Sequence, residues 1–135
     1  MIPKYRVWDE YTGRIHDVVG FDFIESEVHY ENYAEAEALI HARDFKDVEL
    51  MQSTGLKDKN NNEIYAGDIA EFKYPHDKRF KEIGIITHSA EKACFVIKMI
   101  RDTVQEFELY RGVANSYLKV IGNKFDNPEL LEESE

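Results

Sequence analysis

The chain of 135 residues is 43% hydrophobic and 33% charged, with a formal net charge of −10. Its length suits one domain with a buried core, and its acidic field excludes general coating of nucleic acid. The single cysteine, Cys94, excludes an internal disulfide, and no apolar run approaches the roughly 20 residues of a membrane helix.

The opening MIPKYRVWDE also lacks the apolar core of a signal peptide, and a thiol inside an apolar run suits a reducing compartment. A soluble cytoplasmic protein is expected. Charge is divided along the chain. Residues 1–55 carry five basic and twelve acidic side chains, residues 56–125 twelve and ten, and residues 126–135 none and five. A partner therefore meets a patterned surface rather than a uniform acidic one.

In chain order, KYRVWD (Lys4–Asp9) alternates apolar and polar residues, EYTG supplies a turn in which Gly13 can take positive φ, and RIHDVVGFDF returns. That pattern predicts a β-hairpin, with IESEVHY continuing as weaker strand. With Asn32 as N-cap, the alanines and glutamates of NYAEAEALIHARDF predict a short helix to about Arg43. DVELMQS (Asp47–Ser53) reads as strand. After Gly67, short strands are expected at 69–74, 83–88, 93–100, 104–111 and 118–121, the pattern of a small barrel.

One hairpin can be tested within the sequence. If Arg101–Thr103 is its loop, Ile100 faces Val104, Phe95 lies opposite Leu109 and Ile97 opposite Phe107, while Lys98 meets Glu106 on the other face. Such pairs each contribute roughly 0.2–1 kcal/mol. At the end of the chain, Asn127 at N-cap and Pro128 at N1 predict a short C-terminal helix that buries Leu130 and Leu131. The fold class is mainly β, a β-rich α+β arrangement. The whole of 1–135 is read as a single domain, with a hairpin and helix region over 1–53 and a loop and barrel over 54–135.

The polar run DKNNNE poses a choice between a metal loop, a phosphate cradle and a turn. Asp58, Asn60 and Asn62 occupy the first, third and fifth positions of a calcium loop, but Glu63 stands where glycine is needed and Ile69 where a bidentate glutamate is needed. The glycines and Gly-Lys-Ser/Thr ending of a phosphate loop are absent. Asn and Asp cap their own turns, so the run is read as a turn. The histidines, at 16, 29, 41, 76 and 88, form no ligand-spaced motif. His41 is read as a surface partner of Glu37 on the expected helix. Taking Ser89–Lys92 as a loop pairs His88 with Ala93 and Cys94 with Thr87, so His88 and Cys94 point apart and Cys94 reads as a small buried hydrophobe. No catalytic residue, metal or cofactor is expected.

Two features suggest contact surfaces. In KYPHDKRFK the basic Lys73, Lys78, Arg79 and Lys81 interleave with Tyr74 and Phe80, a composition that can track a phosphate backbone and stack bases, or simply form a solvated loop. Trp8, the only tryptophan, shares a strand face with Arg6 and is read as core, with an oligomer interface as the alternative.

Three stretches taken together resemble the YopX family of phage and prophage proteins. They are YRVWDEYTGRI near the N-terminus, the central LMQSTGLKDKNNNEIYAGDIAEF, and VIGNKFDNPELLEE (Val120–Glu133), in matching order and spacing. Ser53 and Ala66 depart from the residues frequent at those places, and residues 21–47 and 73–115 match only as patterns. The resemblance implies a mainly β fold with an SH3-like barrel as the C-terminal core, in a protein of the bacterial host cytoplasm. It carries over no catalytic residues. In structural terms Gly55 and Gly67 allow unusual backbone, Asp68 can cap a turn, and Ile64, Tyr65 and Ile69 can anchor a loop leading into the barrel. The expected function is a non-enzymatic accessory protein that binds another macromolecule, first a protein. A nucleic-acid module using the basic loop is second, an enzyme with an unrecognised site third, and self-association through Trp8 is compatible with either of the first two.

Overall fold

Residues 3–32, 39–73, 82–101 and 106–132 are described by a computed structural model. They divide into two compact units, Met1–Gln52 and Ser53–Glu135.

The first unit is an antiparallel sheet. Strands β1 (Tyr5–Asp9), β2 (Arg14–Asp22), β3 (Glu27–Asn32), β4 (Leu39–Asp44) and β5 (Val48–Lys57) lie in the order β4-β3-β2-β1-β5. The hairpin expected from EYTG is present, with Gly13 at φ +66° and its N–H donated to Asp9 O. Strand registers put Val7, Asp9, His16, Val18, Tyr30, Val28 and His41 on one face. Val7, Val28 and Tyr30 are its buried apolar centre, flanked by Val18, Phe21, Phe45 and Val48. A bulge between Val18 and Gly20 keeps Phe21 on that face.

Two sequence expectations fail here. Ile24–Ser26 is a turn, not strand: the Asp22 carboxylate accepts the N–H groups of Ile24 and Glu25, and Ser26 takes positive φ. The helix expected to Arg43 gives way to β4, which pairs with β3 from Glu27–Asp44 to Asn32–Leu39. Cross-strand pairing outweighs the local preference of alanine and glutamate for helix. The earlier part of that expected helix, 33–38, lies outside the described residues.

In the second unit the end of β5 pairs with β6 (Glu63–Tyr65), and a separate sheet follows. Its strands are β7 (Asp68–Phe72), β8 (Glu82–Ser89), β9 (Cys94–Met99), β10 (Glu106–Glu108) and β11 (Leu118–Asn123), in the order β10-β9-β8-β7-β11. The self-tested hairpin has the register expected: Lys98 opposite Glu106 and Ile97 opposite Phe107, with Leu109 N–H bonded to Phe95 O. Its loop residues Asp102 and Thr103, and Val104, lie outside the described residues. The sheet remains open, since no ladder joins β10 to β11 among the described residues.

The β8–β9 register is shifted by two residues from that expected, pairing His88 with Phe95 instead of Ala93 and Ser89 with Cys94, because Ala93 takes positive φ and closes a turn over Ala90–Ala93. A helix absent from the sequence reading, α1 (Arg111–Tyr117), inserts Ala114 into the core beside Ile64, Ala70, Phe72, Ile86, Ile97, Met99 and Leu118. The expected C-terminal helix is one 3-10 turn, Pro128–Leu131. Asn127 does not cap it; its Oδ1 instead accepts the N–H of Asn123.

Candidate functional site

The most polar place in the first unit is the buried face itself. Asp9, at the end of β1, is 1% exposed. Its Oδ1 accepts the Tyr11 N–H at 3.0 Å, and its Oδ2 accepts the Tyr30 hydroxyl and Arg43 Nε, the latter at 2.9 Å. Strand register brings these groups onto one face across β2: Tyr30 is on β3, and Arg43 is on β4 opposite Val28. The Tyr30 ring stacks on His16 at 4.1 Å and on His41 at 5.6 Å, forming a row of rings across β2, β3 and β4. The β1–β2 turn folds back onto it. Thr12 Oγ1 lies 2.7 Å from His16 Nε2, and Arg43 sits 5.1 Å from the Tyr11 ring.

Electrostatics fix the protonation of this set. Burial works to raise the Asp9 pKa, but hydrogen bonds from Tyr30, the Tyr11 amide and Arg43 outweigh it and hold the carboxyl below its usual range. Burial and the Asp9 hydrogen bond push Tyr30 up to about 12. Burial pulls at the Arg43 charge, yet its hydrogen bond to Asp9 leaves it more firmly protonated. Burial lowers the His16 pKa, and Arg14, His41 and Arg43 reinforce this against the pull of Asp9. At neutral pH the result is a carboxylate, a neutral phenol and a guanidinium bound to one another. Such a set ties three strands and a turn together. An open depression beside it is lined by Asp9, Glu10, Tyr11, Arg43, Lys46 and Asp47.

A second buried carboxylate organises the run DKNNNE. Asp58 is 3% exposed; its Oδ1 accepts the N–H groups of Asn60 and Asn62, and its Oδ2 accepts that of Val120 on β11. The Asp58 N–H goes to Asn62 O, Asn61 takes positive φ, and the Lys59 N–H goes to Leu118 O. Further along, Asp68 accepts the Tyr65 N–H at 2.8 Å. Gly67, at φ +97°, donates to Ile86 O and accepts from Lys124 N–H. Gly55, at φ +78°, lies in the bulged part of β5 between Ser53 and Lys57.

The model of the YopX protein family matches residues 4–132. The chain belongs to that family. Among solved structures it is similar to the protein EF1440 from Enterococcus faecalis, at 26% identity and a TM-score of 0.58, covering 98% of this chain and 99% of that one. No curated protein matches it. In this YopX protein the central stretch is a clasp: Asp58 and Asp68 hold turns, Gly55, Asn61 and Gly67 supply left-handed backbone, and Ile64, Tyr65 and Ile69 are buried. The expected turn is present, with its carboxylate oxygens occupied by backbone N–H groups.

Of the residues singled out in the basic loop, only Lys73 is described, its N–H bonded to Tyr117 O; Tyr74, Lys78, Arg79, Phe80 and Lys81 lie outside the described residues. Trp8 is half-buried, on the face of β1 opposite Val7 and Asp9, and so is not part of the buried apolar centre. Cys94 is half-buried rather than enclosed. His88 packs edge-on against Phe95, on the opposite face of the hairpin from Cys94, so the two do diverge. His41 lies in a strand and stacks on Tyr30, which replaces the helical pairing with Glu37. No cluster of potential metal ligands occurs among the described residues, and no helix there is long and apolar enough to cross a membrane. The Asp9 set escaped the sequence reading because its members are up to 34 positions apart and meet only through strand register. The alternation that placed Asp9 on the face of Val7 was the one available signal.

Proposed function

We propose that this YopX protein is a phage or prophage accessory protein of the bacterial host cytoplasm whose first unit is a non-enzymatic module for binding another protein. The observation that carries this reading is the distribution of exposed apolar side chains. Nine large ones are exposed among the described residues, and seven of them, including Tyr11, Phe23 and Ile24, belong to the first 52 positions. Phe23 and Ile24 are 79% and 93% exposed on a turn held by the Asp22 carboxylate, and the Phe23 ring leans on Phe21 and Phe45. A rigid aromatic and aliphatic tip on an acidic unit suits a protein surface better than a polyanion. The buried polar set supports the same reading, since Asp9, Tyr30 and Arg43 are spent on one another.

The second unit is read as SH3-like. A four-strand meander whose fifth strand returns beside the first is the strand order of such barrels. A nucleic-acid function through Lys73, Tyr74, Lys78, Arg79, Phe80 and Lys81 is the second reading, favoured by the basic and aromatic alternation of that stretch.

The test compares the wild type with a Phe23→Ser, Ile24→Ser double variant of unchanged melting temperature. A host or phage protein captured by the wild type should rebind it in purified form and fail to bind the variant. Equal binding by both would overturn the assignment of the tip. Labelled DNA and RNA are titrated in parallel at two salt concentrations. Salt-sensitive binding lost in a Lys78→Ala, Arg79→Ala, Lys81→Ala variant would move the second reading to first place.

A further inference from the structure

A sheet edge presents a row of backbone N–H and C=O groups that can pair with another strand. Natural edges are blunted by charge, short length, bulges or a covering loop. The edges of this protein are treated unequally. β10 has three residues and flanks Phe107 with Glu106 and Glu108. β11 is bulged between Val120 and Gly122, and the clasp bonds to it through Lys59 N–H to Leu118 O and Val120 N–H to Asp58. In the first unit, the half of β5 that pairs with β1 carries the charged Glu49.

Among the described residues, β4 has none of these protections from Leu39 to Ala42. Among the described residues it pairs with β3 alone, through six residues without a bulge. Leu39–Ala42 is an uncharged run, and Leu39 and Ile40 are 47% and 65% exposed. Its charged residues, Arg43 and Asp44, stand at the far end, and Arg43 is already bound to Asp9.

We infer that β4 is the docking edge for a second copy of this chain, the two strands pairing antiparallel about a two-fold axis with His41 opposite His41 of the second copy. An axis normal to the sheet keeps each face on its own side, so residues of like parity meet. Centred on His41, the pairing sets Ile40 against Ala42 of the second copy, twice over, and lays Leu39 along the stem of Arg43. Asp44 falls beyond the described pairs, and no like charges are opposed. Centring on Ala42 would instead set Ile40 against Asp44.

The ring of His41, stacked on Tyr30, stands at the centre of this pairing. The row His16–Tyr30–His41 then continues through the interface into its own copy. This contact is separate from the Phe23–Ile24 turn and stands whether or not that turn binds another protein.

Sedimentation equilibrium of the full chain from micromolar to millimolar concentration tests the inference. A reversible monomer–dimer equilibrium is expected. Because residues 1–55 carry a net −7, salt should tighten the dimer by screening repulsion between copies. Ile40→Lys should raise the dimer dissociation constant by at least about tenfold with the monomer's melting unchanged. In a Cys94→Ser background, His41→Cys should give a disulfide-linked dimer under mild oxidation and Ala42→Cys should not, since only directly opposed Cα atoms, roughly 4.5–5.5 Å apart, suit a disulfide. A chain that stays monomeric throughout would overturn the inference. So would a dimer indifferent to Ile40→Lys, one that loosens as salt rises, or one cross-linked through position 42 instead of 41. Should Ile40→Lys lower the melting temperature, the two cross-linking variants decide.

Discussion

Asp9 shows how one buried side chain can bind a sheet together. Its oxygens serve three donors from different parts of the first unit: the Tyr11 amide, the Tyr30 hydroxyl and the Arg43 guanidinium. Replacing Asp9 by alanine leaves a phenol and a cation without their acceptor. The Arg43 side chain is 27% exposed, so water recovers part of the loss on that side. A cost of about 2–4 kcal/mol is expected for Asp9→Ala. Tyr30→Phe removes one donor and leaves the carboxylate two others, at about 1–2 kcal/mol. Urea denaturation with an unchanged m-value measures both. Equal losses would mean that the Tyr30 hydroxyl alone accounts for the effect and that the Arg43 contact adds nothing.

Among the elements, the clasp from Gly55 to Asp68 carries the clearest expectation. Three backbone N–H groups converge on Asp58, including that of Val120, 62 positions away. Asp58→Ala should destabilise the protein by about 2–3 kcal/mol. Since the same oxygens are occupied, neither calcium nor a chelator should move the melting temperature of the wild type; a calcium-dependent rise would restore the metal-loop reading. In the β8–β9 hairpin, a Cβ on Gly84 would stand 2.5 Å from Ile97 Cγ1 and 2.9 Å from Lys98 O. Gly84→Ala is therefore expected to cost about 1–3 kcal/mol by overpacking, read as a lowered denaturation midpoint. These elements also show what the sequence could disclose. Turn chemistry at Gly13 and Asp58, and the two-faced pattern of Phe95–Leu109, were legible because each depends on residues close in sequence. The strand at Leu39–Asp44 was not, because alanine-rich composition favours helix and only the neighbouring β3 overrules it. Helix α1 contains a glycine and has no side-chain cap, so it left no local signal. The Asp9 set required the register of four strands, β1 to β4, before its members could be brought together.

At the scale of the whole molecule, the two units are stabilised by unlike cores, and pH should separate them. The second unit buries a nine-residue apolar cluster, whereas the first has four buried apolar residues, Val7, Val28, Tyr30 and Met51, beside the buried Asp9, His16 and Asn32. Both carboxyl and imidazole groups with a lowered pKa, Asp9 and His16, belong to the first unit. As pH falls, the unfolded chain takes up each proton before the folded one does. The stability these groups confer is thus complete above the unfolded values, 6.5 for His16 and 3.8 for Asp9, and is lost as pH drops through the folded ones. Tyr30 acts at the other end: with its folded value near 12 against an ordinary 10.0, the first unit loses stability as pH climbs above 10.0. Hydrogen exchange followed by mass spectrometry, from about pH 7 to about pH 5, should therefore show protection factors falling first in β1–β4 while β7–β9 keep theirs. His16→Gln, which cannot be protonated, should remove most of that early loss. Parallel loss in both units, or an early loss that survives His16→Gln, would place the acid-sensitive group elsewhere than the ring stacked on Tyr30.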